Sequence, residues 1–421
     1  MDYRLPRGTR DLLPKQAALF RRIQDTAAEL SNLYGYGEIH TPVFEYSELF
    51  QRGVGESTDI VEKEMYSFQD RGQRSLTLRP EGTAPIVRAF VEHKLYNDAM
   101  PARYYYWGPM FRYERPQAGR YRQFWQYGVE LLGTQSPWAD VEVIKLGWDF
   151  FQRLDIPTTL VVNNIGCLDD RERYKNALKK YLGSRPLCDD CNSRLDRNPL
   201  RVLDCKNSSC QQQLKGIPLI EDYVCPECTR HFDSVLQGLE SLQVPFSRDS
   251  RLVRGLDYYN RTTFEYKTDK LGAQDALGGG GRYDGLVELL GGPSTPAVGF
   301  ALGIDRLELL MSGKESSAGR RGIWLVTMEP VADQAALWAY KLRNQGVSID
   351  FDLLGRSFKA QFRQADRANC RWALMMGPDE LAQGAAGVRD LETGQQQEIA
   401  LEKLVEHILN LEGVKAVGTD T

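Results

Sequence analysis

The chain has 421 residues, enough for two or three domains, with 42% hydrophobic and 26% charged residues and a net charge of −4. That balance excludes a wholly basic nucleic-acid binder, so any nucleic-acid contact must rest on local patches. No apolar run reaches membrane-spanning length, and Met1–Arg7 carries no signal-peptide core, so a cytoplasmic protein without a membrane partner is expected.

Pro14 opens a helical pattern through Phe20, Ile23, Ala27, Leu30 and Tyr34 that Gly35 stops. A short strand over Ile39, Thr41 and Val43 is predicted next, with Pro42 confining it to an edge or interface. Thr83 suits the cap of a second helix carrying Val87, Phe90 and Val91. Two strands are then predicted around Met110–Glu114 and Arg122–Glu130, joined by a basic loop. Alternation places Arg112 and Glu114 on one face, and Phe124, Gln126, Gly128 and Glu130 on one face. A polar strand face that includes a glycine is a poor core and a good floor for a charged ligand. Trp125 points the other way and is assigned to packing.

A helix over Val141, Ile144, Trp148 and Phe151 follows, then strand-like runs at Thr158–Val162, Thr262–Lys267 and Ala276–Gly278. Mixed strands and helices without regular alternation predict an α+β domain with an antiparallel sheet. Residues 169–250 read as a charged, helix-rich insertion holding six of the eight cysteines, which divides the first domain into 1–168 and 251–311. A polar linker at 312–321 precedes a regular alternation over 322–421. Its strands are Ile323–Thr327, Val347–Leu353 and Trp372–Met376, and its helices Ala332–Asn344 and Phe358–Ala368; this predicts a small α/β domain with parallel strands.

Four further segments are ill suited to plain structure. Arg79-Pro80-Glu81-Gly82-Thr83 sets a carboxylate and a hydroxyl at a helix start, where a simple cap is the competing reading. Arg254-Gly255-Leu256-Asp257-Tyr258-Tyr259 surrounds a glycine with an arginine and two tyrosines. Gly278 to Gly281 is a four-glycine run, costly in any regular element and explained by close backbone or ligand approach. Gly299 to Leu307 leads into an apolar helix with Arg306 near its start, where a surface ion pair is the competing reading. There is no G-x-x-x-x-G-K-[ST] or G-x-G-x-x-G motif, so a bound nucleotide would rest on arginines and an aromatic ring.

Taken together these segments resemble the class II aminoacyl-tRNA synthetases, and more narrowly the histidyl-tRNA synthetase family, over nearly the whole chain. The Phe111-Arg112-x-Glu114 strand pair and the glycine–helix–Arg306 element are shared across the class. The Arg254–Tyr259 and Gly280–Leu286 motifs are specific to the histidine family. The resemblance implies a class II antiparallel sheet flanked by helices, an inserted helical domain and a C-terminal α/β anticodon-binding domain. It implies ATP-dependent activation of L-histidine and transfer to tRNA(His), with Mg2+ and a homodimer whose interface holds the Pro42 strand. Arg112, Glu114, Arg120, Phe124 and Arg306 would bind ATP. Glu81, Thr83, Gln126, Glu130, Tyr258, Tyr259 and Tyr283 would bind histidine. Arg254 would neutralise charge beside Arg112 as the carboxylate meets the α-phosphate. The Arg115–Arg122 loop would meet the acceptor end of the tRNA, and the 357–371 helix with Lys359, Arg363, Arg367 and Arg371 its anticodon side. None of the four histidines lies in these motifs, so no histidine base is implied.

Cys188-x-x-Cys191 and Cys225-x-x-Cys228 have spacing suited to a four-thiolate structural zinc site, with Cys205 and Cys210 as alternative ligands; reduced, partly buried thiols are the competing reading. Cys167 and Cys370 are expected in the core. Two other functions compete: an inactive relative regulating ATP phosphoribosyltransferase, and a zinc-dependent nucleic-acid binder. The first is disfavoured by the retained arginines, Glu130 and C-terminal domain. The second leaves the glycine and arginine segments unexplained.

Overall fold

The computed structural model describes residues 3–55, 58–203, 205, 207–271, 275–312 and 319–414. Most of the expected 312–321 linker and the tail after 414 lie outside them. The chain divides into two compact units, Met1–Lys314 and Glu315–Thr421.

The first unit is built on an eight-stranded sheet. From edge to edge its strands are Gly37–Glu38, Ala102–Phe111, Gln123–Leu132, Ala297–Gly303, Ala276–Arg282, Asn260–Lys267, Thr159–Asn164 and Phe246–Arg248. All neighbours are antiparallel except the two outermost pairs. The two predicted strands around residues 110 and 126 form one ten-residue ladder that sets Met110 opposite Phe124 and Gly108 opposite Gln126. Helix Pro14–Leu33 starts at its proline and buries Phe20, Ile23, Ala27 and Leu30 along one stripe. Helix Pro137–Arg153, capped by the Ser136 hydroxyl, adds Val141, Ile144, Phe150 and Phe151 to the same core.

Several local expectations are revised. The predicted Ile39–Val43 strand is irregular, and the regular pieces are Gly37–Glu38 and Phe44–Tyr46. Pro42 has no N–H for a ladder, and the Arg79 guanidinium holds the segment instead, donating to the Thr41 carbonyl (2.9 Å). Phe44–Tyr46 joins Ser75–Leu78 and Tyr66–Gln69 in a separate three-stranded sheet. The four glycines lie inside a central strand, Ala276–Arg282, rather than after its end. A Cβ at Gly280 would stand 1.9 Å from the Gly299 carbonyl oxygen, so the run lets neighbouring backbones close up.

Within the expected insertion the helices are Leu168–Leu182, Asp189–Arg197, Ser208–Gln213 and Pro226–Ser241. The first three enclose a small core of their own with Leu200, Val202 and Leu214. The last departs from the expected boundary: its Phe232, Val235 and Leu239 pack in the main core.

In the second unit Ile349–Phe351, Ile323–Thr327 and Trp372–Met376 are parallel, as the alternation predicts. An antiparallel pair, Ala385–Asp390 and Gln396–Ala400, extends the sheet to five strands and was not foreseen. Among the described residues no helix is long and apolar enough to cross a membrane.

Candidate active site

The ladder's polar face, the end of the glycine strand and the start of helix Ile304–Met311 enclose a cavity of about 210 Å³. It is lined by Glu81, Thr83, Arg112, Glu114, Arg120, Phe124, Gln126, Arg254, Tyr258, Tyr259 and Arg306. Of the predicted site residues outside the cysteines, only Glu130 and Tyr283 are not in the lining. They lie directly behind it.

Four arginines line the cavity. Arg112 donates from Nε to the Pro80 carbonyl (2.8 Å), and its guanidinium carbon stands 5.3 Å from the Phe124 ring centre. Glu114 pairs with Arg120 at 3.0 Å. Arg306 donates to the Ala276 carbonyl. Burial and the neighbouring Arg120 charge lower its pKa, and an anion in the cavity would oppose both effects. Arg254 pairs with Glu265 at 2.7 Å, while its buried Nε has no partner among the described residues. The buried Gln126 Oε1 is likewise without a partner. Buried polar atoms left open beside a cavity are what a polar ligand satisfies.

The back wall is a carboxyl network. Glu81 is buried and accepts from the Thr83 and Ala84 amides at 2.7 and 2.9 Å. Glu81 thus performs the capping expected of Thr83. The Thr83 hydroxyl is turned inward and donates to Glu130 Oε1 at 2.7 Å, while Tyr283 Oη donates to Oε2 at 2.5 Å. Glu130 is fully buried, and desolvation pushes its pKa up to about 8 despite both hydrogen bonds. Gly299 makes room for it, since a Cβ there would lie 2.0 Å from Oε2. Tyr258 and Tyr259 are in tilted ring contact, centres 4.7 Å apart, and Tyr258 meets Tyr283 edge-on.

The sequence reading missed three contributors. Tyr106 is buried against the wall, its ring filling the space that side chains at Gly82 and Gly128 would need. Its position opposite Gly128 in the ladder was the available signal. Glu265 anchors Arg254, and Asp305 accepts from the Trp125 amide (2.7 Å) and from Arg10. Arg282 of the glycine motif, by contrast, is not a site residue. It is wholly buried against Asp140 at 2.8 Å. Trp125 packs on Phe20 and Trp107, on the far side of the sheet.

The expected ligand set Cys188, Cys191, Cys225 and Cys228 is not brought together. Cys188 and Cys191 group with Cys205 and Cys210; Cys225 and Cys228 group with Cys167 and Asp170. Helix Pro226–Ser241, whose Phe232, Val235 and Leu239 pack in the main core, sets Cys225 and Cys228 beside Cys167 and Asp170 at the start of helix Leu168–Leu182. Cys167 is consequently part of a cluster at a half-buried position, while Cys370 is a core residue as expected.

Comparison with known proteins bears on the fold and the family. The family model described as histidyl-tRNA synthetase matches residues 8–170 and 210–307, leaving 171–209 unmatched, and the anticodon binding domain model matches 323–411. The histidine–tRNA ligase of Halothermothrix orenii is 50% identical over 98% of this chain and all of the relative, and that of Natranaerobius thermophilus is 47% identical over 97% and 99%. Among solved structures, apo histidyl-tRNA synthetase from S. aureus superposes with a TM-score of 0.82 at 37% identity, covering 96% of this chain and 99% of that one. A Bacillus halodurans protein titled as an ATP phosphoribosyltransferase regulatory subunit/histidyl-tRNA synthetase gives 0.66 at 26%, covering 90% and 99%.

Proposed function

The chain belongs to the histidyl-tRNA synthetase family and is a histidine–tRNA ligase, and on that premise we propose how its cavity divides the work. One observation carries the proposal: Arg112, Arg254 and Arg306 converge on a single cavity whose back wall is the Glu130 carboxyl. In the first step the histidine carboxylate attacks the α-phosphate of ATP, giving histidyl-adenylate and pyrophosphate. In the second, a ribose hydroxyl at the tRNA 3′ end takes the histidyl group and AMP leaves. Both reactants of the first step are anions, so positioning and charge neutralisation set the rate.

Arg112 would hold the α-phosphate and Arg306 the γ-phosphate, with Phe124 stacking on adenine and Glu114 and Arg120 completing the nucleotide site. Arg254 would lie between the α-phosphate and the incoming carboxylate; its anchoring by Glu265 supports a fixed position there. Glu81, Thr83 and Gln126 would receive the α-ammonium group, each keeping acceptor capacity beyond the bonds it already makes. Glu130 and Tyr259 would meet the two imidazole nitrogens, with Tyr258 and Tyr283 shaping the pocket. A site that pairs both ring nitrogens rejects apolar isosteres, because its own buried groups would be left unpaired. The described residues place no cluster of three metal ligands in the cavity. Mg2+ would then arrive on the ATP phosphates and be held by at most one or two carboxylates, with Glu114 of the lining a candidate, where it would neutralise phosphate charge.

The regulatory-subunit alternative requires none of the three arginines to converge. For tRNA, the 115–122 loop, with Arg115 and Arg120 exposed, would meet the acceptor end. In the second unit, helix Phe358–Arg367 exposes Lys359, Arg363 and Arg367 for the anticodon side, while Arg371 is committed to Asp390 and Glu392. We also place the protein in the cytoplasm with its tRNA; the described cysteines are all free thiols, which suits a reducing compartment. Histidine-dependent exchange of pyrophosphate into ATP, run beside tRNA charging, tests these readings. Arg254→Ala should lower exchange at least 100-fold with the fold intact, and EDTA should stop it. Arg363→Glu with Arg367→Glu should leave exchange unchanged while charging falls. Near-normal exchange in Arg254→Ala would remove that residue from its role.

A further inference from the structure

The described residues of 168–224 are held by short helices around a core too small to be a strong stabilising unit. Four thiols sit in that core. Cys188 precedes helix Asp189–Arg197, Cys191 lies in its first turn, Cys210 lies in helix Ser208–Gln213, and Cys205 lies between the two helices. Cys191, Cys205 and Cys210 are buried and Cys188 half-buried. All four sulfurs lie within 4.8 Å of one another, with Cys188 Sγ and Cys205 Sγ 3.9 Å apart.

Zinc–thiolate bonds of about 2.3 Å in a tetrahedron put the sulfurs about 3.8 Å apart. The observed spacing is therefore that of a single tetrahedral ion. It is too tight for an iron–sulfur cluster, which places several irons and sulfides between the ligands. Two backbone amides already point at the sulfurs: Cys188 N donates to Cys210 Sγ at 3.2 Å, and Asn207 N to Cys205 Sγ at 3.4 Å. Amides so aimed offset the negative charge that four thiolates carry once their protons have left to solvent. The second cluster lacks this readiness. The Asp170 carboxylate there accepts from the Cys167 amide (3.1 Å) and from Arg173 (2.5 Å), so it serves as a helix cap.

We propose that Cys188, Cys191, Cys205 and Cys210 bind one structural Zn2+ that fixes the insertion against the histidine pocket. The helix that starts at Cys188 ends at Asn198, whose side-chain amide donates to Asp257 Oδ1 at 2.6 Å. Along its length Arg194 and Arg197 pair with Asp59 and Glu62. From the preceding helix, Arg171 donates to the carbonyls of Asp257 and Tyr259. Tyr258 and Tyr259 themselves pack on the insertion's core. An ion that orders this helix therefore orders the segment bearing Arg254 and Tyr259, without touching substrate. Three of the four ligands lie in 171–209, the stretch the family model leaves unmatched, so the ion belongs to this chain's insertion and not to the reaction.

Elemental analysis of the purified full-length protein should give one zinc per chain. Titrating the wild-type thiols with a mercurial in the presence of a chromogenic zinc chelator should release that zinc as the cluster reacts; this needs no variant to fold. Cys188→Ser and Cys210→Ser should lose the metal, whereas Cys225→Ser and Cys228→Ser should keep it. Zinc-stripped enzyme should show at least a fivefold higher KM for histidine with the KM for ATP moved less than twofold. That last readout rests on the pocket assignment above; the metal count does not, so the two can fail separately. Protein isolated with no zinc, with iron in its place, with disulfides among these four residues, or with zinc that follows Cys225 and Cys228 would overturn the proposal.

Discussion

Glu130 joins two demands that pull against each other. On the proposed assignment it would be buried deeply enough to select an imidazole, yet its carboxyl would remain able to accept from a ring N–H. Desolvation raises its pKa to about 8, so the folded chain binds this proton more tightly than the unfolded chain does. The contribution to stability is therefore full below the ordinary carboxyl range, and is lost as pH rises from about 4.5 towards 8. The slope is at most about 1.4 kcal/mol per pH unit inside that window. Glu130→Gln keeps the shape and removes the titration. Relative to wild type, its unfolding free energy should gain at least about 2 kcal/mol between pH 5 and pH 8.5. Its KM for histidine should rise at least tenfold with little change for ATP. Parallel stability–pH curves for the two proteins would show that Glu130 does not titrate in this window. At this scale the sequence was informative wherever strand parity decides. Parity put Phe124, Gln126 and Glu130 on one face because side chains alternate regardless of tertiary context. It also held the clue to Tyr106, but a Tyr104-Tyr105-Tyr106-Trp107 run reads as core in both registers. The Arg254–Glu265 anchor crosses from a loop to a strand and had no local signal.

Glycines in the same motif neighbourhood play unlike parts, and the element around each decides which. Gly280 sits mid-strand, where an added Cβ would meet the Gly299 carbonyl oxygen at 1.9 Å and the Phe300 Cα at 2.7 Å. Those are backbone atoms of the neighbouring strand and cannot rotate away. Gly255, within the histidine-specific motif, has nothing within 4 Å of an added methyl and no left-handed backbone. Gly280→Ala should cost about 3 kcal/mol or more in urea unfolding, and Gly255→Ala less than about 0.5 kcal/mol. Equal costs would mean that chain entropy, not close approach, explains the glycine run. The run itself was visible in sequence and its cause correctly narrowed. That it continues a strand was not, because four glycines carry no β propensity and only the ladders on both sides hold them extended. The cysteine grouping failed for a related reason. Spacing finds pairs, but which pairs meet depends on helix Pro226–Ser241 burying Phe232, Val235 and Leu239 in the larger core.

Over the whole chain, the division into two units was legible because a polar linker is followed by a regular alternation of strands and helices. The 385–400 strand pair escaped notice because its burial is one-sided, with Gln396–Ala400 nearly all exposed. The expected homodimer, which we retain as a proposal, belongs to this scale too. The three-stranded sheet after Pro42 leaves Phe44, Tyr46 and Phe68 about half exposed, with Phe44 and Phe68 in edge contact. Clustered aromatic side chains on a free sheet are costly to leave in water and match the apolar centre of an obligate interface. Light scattering should therefore give twice the 47.8 kDa chain mass. Phe68→Glu should shift that mass towards a single chain, because two copies related by a twofold axis would each bury the new charge. Pyrophosphate exchange should fall along with it if the neighbouring Glu64–Tyr113 backbone bond depends on that sheet. A wild-type protein that runs as a monomer, or a Phe68→Glu variant that remains a dimer, would move the interface elsewhere and leave this aromatic face to be explained otherwise.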